Sequence, residues 1–261
     1  IKSVLFQTYK NFELLIWDDA SSDNTIKIIK SFDDKRIKLF GNKMHLGLGL
    51  SRCKAQSEIN GEFVAILDAD DEMSNHRIEK QVNEFLINKN LSLIGTWIKY
   101  KNTKGKIIRE KFYHRIPCNI KASKEEIREN MMWRNIFAHS SIMYKKKDAV
   151  RVGWYSTKLE YAQDYDLSTK LIKDRESKIL EEYLTFVTER KESMTSLAQL
   201  KKKRIEENLH ILENCKSEFE MDKRLSFINS KAISVNKLKL DLMNNSNFIL
   251  KFFIIFKTLI K

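Results

Sequence analysis

Carboxylates crowd two places in this chain. Glu62-Phe63-Val64-Ala65-Ile66-Leu67 runs straight into Asp68-Ala69-Asp70-Asp71, with no turn residue between. Crowded carboxylates repel one another, and a hard divalent cation relieves that cost. A cation carrying a diphosphate suits a Mg2+-type site with one or two protein carboxylates. An Asp-rich surface turn would have the same local composition, because Asp favours turns and helix N-caps. A second apolar run, Phe12-Glu13-Leu14-Leu15-Ile16-Trp17, ends at Asp18-Asp19 about fifty residues earlier. Two acidic strand ends separated by helical segments suggest one cleft, at the strand ends where open α/β sheets bind ligands.

The elements that position these acids follow from hydrophobic periodicity. The apolar stretch over 62–67 reads as a strand buried on both faces of a parallel sheet. Further strands are expected at 13–18 and 36–40, and helices over 1–9, 24–32 and 48–59. Asp23 or Asn24 is placed to cap the second of these helices. Residues 74–88 read as an amphipathic helix with Ile78, Val82, Phe85 and Leu86 on one face. A hairpin is expected from 91–98 to 106–110, turning at Lys104-Gly105. Alternating strands and helices predict an α/β fold. Gly47-Leu48-Gly49 is no dinucleotide fingerprint, since the third glycine and the preceding buried strand are lacking.

Taken together, Gln7-Thr8-Tyr9-Lys10-Asn11-Phe12-Glu13-Leu14, Asp18-Asp19-Ala20-Ser21-Ser22-Asp23-Asn24-Thr25 and Gly61-Glu62-Phe63 leading to Asp68-Ala69-Asp70-Asp71 resemble the family 2 glycosyltransferases. That resemblance implies an inverting enzyme with the GT-A fold: a Rossmann-like mixed sheet flanked by helices, of the nucleotide-diphospho-sugar transferase kind. It is closest over residues 3–80, moderate over 133–175 and absent at the C-terminal end. Asp18 or Asp19 then contacts the uracil or ribose of a UDP-linked donor, with Asp19 also available to the following turn. Arg52 matches a family arginine beside the diphosphate or base, although Cys53 and Ala55 depart from the usual neighbours. Asp70 is the implied ligand of Mg2+ or Mn2+, with Asp68 facing the ribose or assisting through water. Asp71 either orients the sugar or caps the helix that follows.

Tyr161-Ala162-Gln163-Asp164-Tyr165-Asp166-Leu167 resembles the family segment whose second acidic residue is the catalytic base, which points to Asp164. An inverting transfer needs one carboxylate opposite the leaving group to accept the acceptor's hydroxyl proton. Asp164 also precedes a helical stretch and could serve as its N-cap. Gln163 stands where relatives carry Glu; it is a candidate substrate contact or, like Asp166, sits behind the base. His139 is a candidate substrate contact, although a lone His beside a strand is more often structural. Trp133 and Trp154 could stack on a sugar or fill core space.

Composition narrows the rest. Forty-eight basic against 35 acidic residues give a net charge of +13, which favours anionic partners such as nucleotide diphosphates or anionic lipid. Charge alone gives little reason to expect a nucleic-acid partner. Cys53, Cys118 and Cys215 lack paired spacing, arguing against a disulfide framework or zinc knuckle and for a reducing compartment. The expected organisation is a transferase domain over 1–190, with a nucleotide half at 1–100 and an acceptor half at 101–190. A basic helical extension over 191–261 follows. Residues 248–261 combine apolar side chains with spaced lysines, which suits a helix on the inner membrane face, peripheral to the cytoplasm. Relatives usually carry a strand before the point matching Ile1, so the resemblance implies an N-terminally truncated copy without that central strand. The expected function is sugar transfer to a glycan or lipid-linked acceptor in lipopolysaccharide, capsule or exopolysaccharide synthesis. The rivals are an inactive remnant or scaffold and a sugar-phosphate nucleotidyltransferase.

Overall fold

A computed structural model of the chain describes residues 1–111, 122–190 and 198–244. It divides into two compact units: Ile1–Met131 with Asn135–Lys191, and Met132–Arg134 with Glu192–Lys261. The proposed membrane-surface segment 248–261 and Cys118 lie outside the described residues.

The first unit begins with α1 (Lys2–Leu5), β1 (Leu14–Asp18), α2 (Thr25–Lys30), β2 (Ile37–Gly41) and α3 (Leu48–Ala55). It continues through β3 (Phe63–Ala65), β4 (Glu72–Met73), α4 (Arg77–Ile87), β5 (Leu91–Lys101) and β6 (Ile107–Lys111). Then come α5 (Lys124–Met131), β7 (Met143–Lys145), α6 (Lys146–Arg151), α7 (Gln163–Leu171) and β8 (Glu176–Thr188). β1 and β2 form a parallel pair on their own. The other six strands form a mixed sheet in the order β3-β7-β5-β8-β4, with β6 also on β5. β8 runs parallel to β5, while β6 and β7 pair with it antiparallel.

The expected hairpin forms from β5 and β6, and Gly105 takes the positive φ of 79° that its turn requires. The 62–67 segment is different from the expectation. Only Phe63–Ala65 make a strand, it sits at the end of its sheet, and its ladder to β7 is antiparallel. Its apolar character comes instead from packing: Phe63, Ala65 and Leu67 lie against the core. Ile66 N–H still donates to Ile142 carbonyl, after which the chain turns and Asp71 N–H bonds Asp68 carbonyl. That early turn frees the acidic side chains from the pleat.

Along α4, Ile78, Val82 and Phe85 are buried at helical spacing, and Phe85 stacks on Phe63 with centroids 5.0 Å apart. Leu86, expected on the same face, is exposed. Burial of Phe85 contributes about 2–3 kcal/mol and fixes α4 under the acidic turn. The core continues through Met73, Leu91, Ile94, Met143, Leu180 and Leu184.

In the second unit, α8 (Ala198–Glu218) and α9 (Lys223–Asn244) are joined by a short turn. Asp222 Oδ1 accepts the Leu225 N–H at 2.7 Å, the usual N-terminal cap. Ile211, Leu212, Cys215, Leu225 and Ala232 are buried, and Lys237 pairs with Glu213 across the helices at 2.9 Å. No described helix is long and apolar enough to cross a membrane.

Candidate active site

The acidic turn after β3 splits its three carboxylates by environment. Asp68 points to Arg52 and His139: Arg52 Nη2 lies 3.4 Å from its Oδ1 and His139 Nδ1 lies 3.6 Å away. Its backbone N–H donates to Ser140 Oγ at 3.1 Å. Withdrawal from water alone would raise the Asp68 pKa. His139, Arg52 and Ser140 outweigh it and hold the carboxyl well below the usual range. Asp70 pairs with Arg190, whose Nε is 3.1 Å from Oδ2. Asp71 is turned inward, and its Oδ1 accepts the Thr188 N–H at 2.8 Å. Burial, with lesser contributions from Asp68 and Asp70, pushes its pKa up to about 6 against bonds from Ser140 and Thr188. Asp71 does not cap the following helix, which starts at Arg77 behind His76.

Asp68 and Asp70 fit a divalent cation of the Mg2+ or Mn2+ type. Asp70 already holds a cationic group, the Arg190 guanidinium. No cluster of three or more His, Cys, Asp or Glu ligands occurs among the described residues. A Mg2+-type ion needs only one or two protein carboxylates, with phosphates and waters filling the other positions.

At the end of β1, Asp18 and Asp19 do different work. Asp18 is buried and its Oδ2 accepts the Ser21 N–H at 3.1 Å. Asp19 is committed to the turn before α3, accepting from Leu46 N at 2.9 Å, Gly47 N at 2.8 Å and Asn42 Nδ2 at 2.7 Å. Burial works to raise its pKa, but bonds from Leu46, Asn42, Ser51 and Gly47 lower it to about 2. Gly47 bends there at φ 84°, and Ala20 just beyond the pair holds a left-handed φ of 62°.

Arg52 connects the acidic turn to α7. It extends from α3, and besides Asp68 it reaches His139 Nδ1 at 3.1 Å and Gln163 Oε1 at 3.5 Å. Its guanidinium also lies over the Tyr155 ring, 5.6 Å from the centroid. Tyr155 hydroxyl meets His139 Nε2 at 2.9 Å. Burial pushes the Tyr155 pKa up to about 12 despite Arg52, while Asp164 and Asp68 both add to the rise. One phenol therefore feels both the acidic turn and α7.

Asp164 stands in the first turn of α7 behind the backbone cap Ala162, so it is not the N-cap. The helix N-terminus favours its negative charge, and Asn135 Nδ2 donates to its Oδ2 at 2.9 Å. Gln163 is buried, with Nε2 donating to the carbonyls of Leu159 at 2.7 Å and Glu160 at 3.1 Å. Asp166 faces Lys170 at 2.6 Å, one helical turn on. The structure thus brings together Arg52, Asp68, His139 and Gln163, with Asp164 adjoining. Trp154 is core, edge-on to Tyr144, and Trp133 falls in the second unit.

Several residues that frame the site escaped the sequence reading. Arg77 is fully buried under the acidic turn. Its guanidinium donates to the carbonyls of Ser140 at 2.6 Å, Ile142 at 2.9 Å and Ile66 at 3.1 Å. Gln81 takes the Arg77 Nε bond and ties Ile94 and Ser141. Burial lowers the Arg77 pKa to about 9, and Asp71 opposes that fall. The available signal was an Arg and a Gln at i and i+4 on the apolar face of α4. Asn135, Tyr155, Thr188 and Arg190 gave no local signal.

Known proteins resemble this chain in sequence and in fold. Residues 1–155 match the profile described as glycosyl transferase family 2. An uncharacterized glycosyltransferase of Methanocaldococcus jannaschii is 32% identical over 191 residues, covering 70% of this chain and 62% of the relative. The Escherichia coli protein WfgD is named a UDP-Glc:alpha-D-GlcNAc-diphosphoundecaprenol beta-1,3-glucosyltransferase. It is 41% identical over 97 residues, 37% of this chain and 38% of its own length. The chain thus spans less than two thirds of either relative. The mannosyltransferase PcManGT of Pyrobaculum calidifontis, solved with GDP-Man and Mn2+, superposes with a TM-score of 0.63 at 15% identity. That superposition covers 98% of this chain and 73% of PcManGT.

Proposed function

The chain belongs to glycosyltransferase family 2 and has its GT-A fold, and on that premise we propose that it transfers a sugar from a nucleotide diphosphate, UDP-linked, to an acceptor hydroxyl with inversion. The observation that carries this reading is the position of Arg52. One guanidinium touches Asp68 of the acidic turn and Gln163, the neighbour of Asp164. The donor-side carboxylate Asp68 and the residue next to the base-side carboxylate are thereby held to one cation.

Asp164 accepts the acceptor's hydroxyl proton as that oxygen bonds to the sugar's anomeric carbon. The bond from that carbon to the diphosphate breaks on the opposite face, which inverts the configuration. Asn135 orients the base through its 2.9 Å bond. Mg2+ or Mn2+ on Asp70, with Asp68 beside it, would supply Lewis-acid stabilisation of the departing diphosphate. Asp18 serves the base or ribose, while Asp19 shapes the turn around them. Arg52 and His139 keep Asp68 ionised and in place. The WfgD name supports a lipid-linked acceptor in cell-surface polysaccharide synthesis. The net charge of +13 supports work at an anionic membrane face.

Calorimetry with UDP tests the donor half. Binding is expected to require Mn2+ or Mg2+ and to fall sharply in Asp70→Ala. Equal affinity with chelator present would remove the metal assignment.

A further inference from the structure

Arg190 has no part in the reaction just described, yet it holds the carboxylate assigned to the metal. Its Nε lies 3.1 Å from Asp70 Oδ2. The surrounding backbone fixes this approach. β4, directly after the acidic turn, pairs with β8 through Glu72 opposite Phe186 and Met73 opposite Thr185. At the end of β8, Thr188 N–H donates to Asp71 Oδ1 at 2.8 Å, and the Thr188 hydroxyl donates to the Asp70 carbonyl. The chain two residues before Arg190 is therefore fastened to the turn that carries Asp70. Asp68, for its part, already faces Arg52 and His139. Each carboxylate of the pair thus has a protein cation of its own.

We propose that Arg190 is the resting counter-ion of Asp70, and that a divalent cation gains this carboxylate only by displacing the guanidinium, which then pairs with the donor's diphosphate. The proposal rests on the reading of Asp70 as the metal carboxylate. A metal arriving alone breaks an ion pair and leaves two cations side by side, so it binds weakly. A nucleotide diphosphate supplies the displaced guanidinium with an anion it can grip through paired N–H donors. Metal and nucleotide therefore strengthen each other's binding by one shared coupling factor, which linkage makes reciprocal.

Titration of Mn2+, followed by loss of the free-ion electron paramagnetic resonance signal, tests this with and without UDP. Without nucleotide, Arg190→Gln is expected to bind Mn2+ about tenfold tighter than the wild type, within the usual range of coupling. UDP should raise Mn2+ affinity strongly in the wild type and little in Arg190→Gln. Arg190→Lys should fall between the wild type and Arg190→Gln, since the charge is kept but the paired N–H donors are not. Arg190 is more than half exposed, so these variants should fold, and their unfolding midpoints check it. Equal Mn2+ affinity in wild type and Arg190→Gln, with binding lost in Asp70→Asn, overturns the Arg190 proposal and leaves the metal reading standing. Unchanged Mn2+ binding in Asp70→Asn removes the metal reading itself. No Mn2+ binding to wild type or Arg190→Gln, with or without UDP, also overturns the proposal.

Discussion

Arg52 Nη2 lies 3.4 Å from Asp68 Oδ1, so a helix that follows the first acidic strand end is fastened to the second. The two acidic ends belong to separate sheets, and no backbone ladder joins them among the described residues. Side-chain charge does that work here. Arg52→Ala should weaken UDP binding by about tenfold, while Arg52→Lys recovers only part, because one ammonium cannot reach Asp68, His139 and Gln163 together. Calorimetry on the three proteins measures it; unchanged affinity in Arg52→Ala would show that the bridge is ornamental to donor binding.

The buried Arg77 network sets the height of the acidic turn. Arg77→Met takes a donor from the Ser140 and Ile66 carbonyls, leaves the Ile142 carbonyl only the Ile66 N–H, and removes a buried charge from beside Asp71, so a loss of about 3–5 kcal/mol is expected. Urea unfolding measures it, and a loss below about 1 kcal/mol would mean that the turn is held by other contacts.

Gly49 is a second point of close packing. A Cβ there would lie 2.3 Å from Gln163 Nε2, and Gln163 cannot move without breaking its bonds to Leu159 and Glu160. Gly49→Ala should therefore cost about 1–3 kcal/mol and displace Arg52, one turn along α3. Paired unfolding and UDP titrations would contradict this if both match the wild type.

Much of the site's outline was legible locally. Acidic residues at the ends of apolar runs, and Asp164 at a helix start, are features of a few consecutive residues. The β5–β6 hairpin was legible for the same reason. The partners were not, because they meet from distant parts of the chain: Thr188 bonds Asp71 across 117 positions, and Arg52 meets Gln163 across 111. The strand is shorter than the apolar run over 62–67, since such a run reports burial and not ladder pairing. Leu67 satisfies that burial outside the strand.

Asp19 gives the chain a defined acid sensitivity. Its native pKa is lowered to about 2 from an ordinary value of 3.8. Its contribution is therefore complete above about pH 4 and lost as pH falls through 4 toward 2. After allowance for solvent screening it is about 1 kcal/mol. Asp19→Asn should lose this at pH 6, and the gap from the wild type should narrow at pH 2.5. A gap of constant size in urea unfolding at the two pH values would contradict the assignment.

The central claim is that Asp164 takes the acceptor proton while a separate set of residues holds the donor. Its most direct measurement is sugar transfer by wild type and Asp164→Asn, with UDP affinity in the presence of Mn2+ determined on the same preparations. Turnover is expected to fall by about two to four orders of magnitude, with UDP affinity within about twofold of the wild type. Turnover retained in Asp164→Asn would contradict it and move the base elsewhere.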